Sequence, residues 1–131
     1  MTEPELIPIE LTDEERKLMF IALNEYAGSA KHAYKLLCPV LGQTNKGEWV
    51  HLRRRLMEAV KNKEPLSDLD WARALFLTEI SFGSNLVGSG LDFGPAADEY
   101  WLGVLRSLQR KVSSYDRFLL LLENASYPAA E

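Results

Sequence analysis

SDLDWARALFLTEISFGSNLVGSGLDFGP, residues Ser67 to Pro95, is the stretch whose reading decides the fold. Its first half predicts a helix from Ser67 to Phe82 or Gly83. Ser67 is the N-cap, and Asp70 stands at the third position of a capping box. Apolar residues lie on nearly every side, so this helix must be buried all round and forms the centre of the molecule. One charge, Glu79, falls inside the apolar surface, between Ala72, Leu75, Phe76 and Phe82 on a helical wheel. A carboxylate in that position needs a partner or a shifted pKa.

Four more helices are expected around it, and no alternating strand pattern occurs. The first runs from about Asp13 to Ala27, with Thr12 and Glu15 as a capping box and Gly28 at its end. A short one spans about Ala30 to Cys38, capped by Ser29 and stopped by Pro39. A third runs from about Lys46 to Asn62, with Asn45 as cap and Pro65 beyond the end. The fifth is read as one long C-terminal helix, about Ala96 to Glu123. Its seam is Trp101, Leu105, Leu108, Val112, Tyr115, Leu119 and Leu122, spaced alternately by four and three. Ser113-Ser114 is the one place where it could break, with Ser114 capping a new helix. The expected fold is all-α: a single-domain bundle of about five helices over residues 1–131. Residues 1–11 form an extended N-terminal arm, and 124–131 a mobile C-terminal tail.

The 131 residues suit one ordinary domain, and 47% hydrophobic with 26% charged residues is a globular balance. Met1 to Leu11 is acidic and carries Pro4 and Pro8, unlike a secretory signal. No apolar run is long enough to cross a bilayer, so no membrane partner is expected. The lone Cys38 excludes an internal disulfide and points to a reducing, cytoplasmic setting, where it is a buried, inert thiol.

The net charge of -4 is unevenly spread: residues 1–28 carry -5, residues 29–63 carry +6, and residues 64–131 carry -5. A basic middle between acidic flanks can face nucleic acid or pair with its own flanks, and the intramolecular reading is favoured.

Four constellations stand out. Arg53 falls inside the apolar arc of Trp49, Leu52, Leu56, Met57 and Val60, so Arg53 and Glu79 are candidate partners in a buried ion pair. Arg106 and His32 are the other possible partners of Glu79. The run Gly83 to Pro95 lacks the Gly-Lys of a phosphate loop, and no Lys or Arg occurs from Ala74 to Leu105. Its apolar residues Leu86, Val87, Leu91 and Phe93 are read instead as a partner-binding loop. His51, Arg54, Arg55 and Lys61 form a basic face on the third helix. The seven-residue connector before that helix is too long for a helix-turn-helix. The seam of the fifth helix is a core stripe first and a dimer interface second.

No catalytic, cofactor-binding or metal-binding set is recognisable: the two histidines are far apart and no HExxH or Cys-His cluster occurs. The function expected is that of a small, cytoplasmic, non-catalytic interaction or regulatory module. Its partner would be an unidentified protein or a second copy in a homodimer. The alternative is a nucleic-acid-binding regulator using helix 46–62, and the third reading an enzyme with Glu79 as buried acid or base.

Overall fold

A computed structural model describes residues 3–28, 30–87 and 95–125, the side chains of 95–97 excepted. Six α-helices lie among them: α1 (Asp13–Asn24), α2 (Tyr34–Leu37), α3 (Lys46–Lys61), α4 (Asp68–Gly83), α5 (Pro95–Val112) and α6 (Tyr115–Asn124). The all-α class holds. The single long C-terminal helix does not: it divides into α5 and α6, giving six helices where about five are expected, and a small sheet is added.

That sheet pairs β1 (Leu6–Ile7) antiparallel with β2 (Leu66–Ser67), Leu6 opposite Ser67 and Ile7 opposite Leu66. Prolines set its size. Pro8 follows β1 and Pro65 precedes β2, each without an N–H for the ladder, and Ser67 leaves β2 to cap α4. Trp71 then fastens the arm by donating its indole N–H to the Ile7 carbonyl at 2.8 Å.

α1 starts where the sequence places it. The Thr12 hydroxyl accepts from the Glu15 N–H, and the Glu15 carboxylate accepts from the Thr12 N–H. Its last predicted turn is a 3-10 turn, Glu25–Ala27. α1 buries Leu18, Met19, Ala22 and Leu23 against α3, α4 and α5. α2 is one turn only, shorter than the helix expected over 30–38, and Ala33 before it offers no capping side chain. α3 carries Asn45 as its cap. It ends as Glu64 N–H bonds the Ala59 carbonyl while Lys63 takes a left-handed φ of 58°.

α4 is the central helix, as its all-round apolar sequence requires. Trp71, Ala72, Ala74, Leu75 and Leu77 are buried, and α1, α5, α6 and β2 pack on it. Tyr26 donates its hydroxyl to the Leu77 carbonyl at 2.6 Å and packs edge-on against Trp49 at 5.5 Å, joining α1's end to α3 and α4.

The seam of the expected fifth helix divides at Ser113-Ser114. The Ser114 hydroxyl accepts from the Arg117 N–H and starts α6. Arg117 stabilises the corner by donating from Nη1 to the Val112 carbonyl (2.9 Å), one of the free acceptors at the end of α5. Leu105, Leu108 and Val112 remain core residues, whereas Tyr115 and Leu122 are exposed. The chain turns back, and α6 packs on α4. Its last residue, Asn124, reaches the turn at Gly42, which has a φ of +73°.

A Cβ at Gly42 would collide with the backbone and side-chain oxygens of Asn124, besides straining a left-handed residue. Gly42→Ala is therefore expected to lower stability by about 1–3 kcal/mol. Urea denaturation checks this. Asn124→Ala alone should cost less, because it removes contacts without adding strain.

Candidate functional site

Among the described residues, two buried carboxylates each gather a polar node, and neither node is the pair expected from sequence. The first is Asp70, in the opening turn of α4. Its N–H donates to Ser67 Oγ at 3.2 Å, but its carboxylate does not return to the cap, so only half of the expected capping box forms. It accepts instead from both terminal guanidinium nitrogens of Arg55 on α3 and, at 2.9 Å, from Arg73 Nη1 one turn along α4. Arg73 donates its other terminal nitrogen to Asn124 Oδ1 at 3.0 Å, drawing the end of α6 in. Burial pushes the Asp70 carboxyl up, but the two arginines outweigh it and hold the group below the usual carboxylate range.

The second node is Glu15, only 1% exposed. One oxygen accepts from the Thr12 N–H and from Lys111 Nζ at 2.6 Å, and the other accepts from Ser107 Oγ at 2.7 Å. Lys111 Nζ also donates to the Glu10 carbonyl. Burial raises this carboxyl too, and Lys111, the Thr12 N–H and Ser107 together lower it below its ordinary value. The cap of α1 is thus the clamp that holds α5. Sequence reasoning saw the cap and missed the burial. The signal was present, since Glu15 continues the stripe of Leu18, Met19, Ala22 and Leu23 at helical spacing.

Arg53 and Glu79 do not meet. Arg53 is buried and points its Nη1 at Met57 Sδ, 3.0 Å away; burial and the neighbouring Arg54 both lower its pKa. Glu79 is half-buried and accepts from Gln109 Nε2 at 2.6 Å, while Gln109 Oε1 accepts from Arg106 at 2.8 Å. The reason is axial. The ion pair joining α3 to α4 is at Asp70, and Glu79 lies about 13 Å further along the helix. There it faces α5. Of the alternative partners, Arg106 reaches Glu79 through Gln109.

The basic face is divided. His51, Arg54 and Lys61 are exposed on α3, but Arg55 is bound to Asp70. That bond joins the positive middle of the chain to its acidic flank. A shallow groove of about 520 Å³ lies beside the face, lined by Leu6, His51, Arg54, Glu58 and Pro65. Of the expected partner loop, Leu86 is 96% exposed, and Val87 is half-buried against the core with its N–H on Ser84 Oγ. Leu91 and Phe93 lie outside the described residues. Cys38 is buried, and burial, with Glu48 nearby, pushes its thiol pKa up. Among the described residues, no group of three or more His, Cys, Asp or Glu side chains could hold a metal ion. No helix among them is long and apolar enough to cross a membrane.

Comparison with family models, with curated proteins and with solved structures gave no match to this chain.

Asp70→Asn should destabilise the fold by about 3 kcal/mol, because it strands Arg73 inside the protein. The folded pKa of Asp70 lies below its unfolded value, so its contribution is complete above about pH 4 and is lost as pH falls through the folded pKa. Thermal melts from pH 7 to pH 2 should therefore show the two proteins converging in acid. A constant difference would show that the charge is not what holds the node.

Proposed function

We propose that the chain is a small, cytoplasmic, non-catalytic interaction or regulatory module that works by binding another protein. The observation that carries the reading is the outer surface of α6, where Tyr115, Phe118 and Leu122 are exposed while the opposite face is anchored to the bundle. Leu86, exposed beyond the end of α4, adds a second apolar contact point. Exposed apolar groups clustered on one element mark binding surfaces more often than isolated ones do. The buried carboxylates Glu15 and Asp70 each hold two helices together, and Glu79 is engaged by Gln109. Those contacts favour a structural role for all three over acid–base chemistry.

A second reading, nucleic-acid contact through α3, has His51, Arg54 and Lys61 in its favour. Against it, Arg55 is engaged by Asp70, and acidic flanks weaken long-range attraction to phosphate.

The full chain immobilised on resin should capture specific proteins from cell extract. The double variant Leu86→Asp/Phe118→Asp should release them while keeping its thermal melt. Equal capture by both would overturn the reading. In gel shifts at physiological salt, little duplex DNA should be retained. A strongly salt-dependent shift abolished by Arg54→Ala with Lys61→Ala would favour the second reading.

A further inference from the structure

The two faces of α6 differ in kind. At 100° per residue, Tyr115, Phe118, Leu119 and Leu122 share one arc of about 100°. The opposite arc holds Arg117, Leu121 and Asn124, the residues that bind α6 to the bundle. On the outer arc Tyr115 is 71% exposed, and Phe118 and Leu122 are each 54% exposed. The Tyr115 and Phe118 rings lie 6.3 Å apart, so the stripe begins with an aromatic pair. Its spacing, i, i+3, i+4 and i+7, is that of the anchors one helix offers another.

The charges bordering the stripe are one-sided. Arg117 is engaged by Asp68 at 3.0 Å and by the Val112 carbonyl. Asp116 and Glu123 are exposed, two turns apart on the edge beside Leu119, with no hydrogen bond or ion pair to any described residue.

We propose that this stripe docks an amphipathic helix of another protein, one whose apolar face is flanked by Lys or Arg where it meets Asp116 and Glu123. The inference rests on the interaction reading above and adds the chemistry of the partner. Charge complementarity selects this occupant over a second copy. In an antiparallel pair of α6 helices like edges meet, setting Asp116 and Glu123 against their own counterparts. In a parallel pair the acidic edge meets the edge of Ser114 and Phe118, which carries no cation. A lipid surface is disfavoured because the acidic edge is repelled by anionic headgroups.

Two synthetic helical peptides of about 18 residues serve as probes, with one apolar face of Leu and flanks of Lys in one and Glu in the other. They are titrated into the full chain with NMR amide shifts as readout. The Leu/Lys peptide should move the amides of α6, and the Leu/Glu peptide should not. Asp116→Lys with Glu123→Lys should weaken the Leu/Lys peptide by about tenfold and admit the Leu/Glu peptide. Leu122→Asp should abolish binding of the Leu/Lys peptide with the melt unchanged. Three results would overturn the proposal: no binding of the Leu/Lys peptide, shifts confined to another face, or affinity indifferent to the charge reversal. A concentration-dependent dimer made monomeric by Leu122→Asp would overturn it in favour of a second copy. Peptide failure, with extract capture still lost in the Leu86/Phe118 variant, would reject this partner chemistry and leave the interaction reading standing.

Discussion

The carboxylate of Asp70 sits where three parts of the chain must agree. Arg55 brings α3 to it, Arg73 belongs to α4, and Arg73 in turn holds Asn124 at the end of α6. Asn124 is packed onto Gly42, so the turn before α3 is fixed by the same chain of contacts. The hydrogen-bonded links are short, and two of them join residues 15 and 51 positions apart in sequence. Buried charge is costly to leave unpaired, about 3–5 kcal/mol when one partner is removed. A domain of this size has only about 5–15 kcal/mol in total. The node therefore contributes less by adding stability than by penalising every arrangement that separates its members. Glu15 does the same at the opposite seam, between α1 and α5.

How far this was legible in the sequence depends on whether the signal is local. The cap of α1, the cap of α3 and the central place of α4 follow from residues a turn or two apart, and the structure agrees with all three. The partners of charged residues do not follow in that way. Arg53 and Glu79 match on a helical wheel because each is a charge on an apolar face. A helical wheel gives angle and says nothing of position along the axis, and it is the axial offset that separates them. Met57 and Gln109 became the neighbours instead, neither distinguished by charge. Asp70 was hidden differently. A first-turn aspartate after a serine has a sufficient local explanation, which left no reason to seek Arg55. The short sheet needed a pairing between residues some sixty positions apart, in segments too brief to show any period.

The seam from Trp101 to Leu122 shows what periodicity can and cannot claim. Alternating spacings of four and three place side chains on one face only while the backbone stays helical. Two non-helical residues, Ser113 and Ser114, end that relation. Beyond them the same spacing describes the face of a new helix with its own direction. The sequence admitted both outcomes. What decides is the inner face of α6: Arg117 finds Asp68 and the Val112 carbonyl, Leu121 packs on the core, and Asn124 finds Arg73. A straight continuation would carry Asn124 about 18 Å past Val112 and forfeit all three.

The consequence is a division of labour across one short helix. The contacts that attach α6 are the polar ones of Arg117 and Asn124 and the apolar packing of Leu121, all on one arc. The contacts left open are apolar and border the acids Asp116 and Glu123. Because Arg117, Leu121 and Asn124 hold α6 from one arc, the stripe of Tyr115, Phe118 and Leu122 on the other stays exposed. The corner at Ser114 that brings the inner arc onto α4 is also what turns this stripe outward.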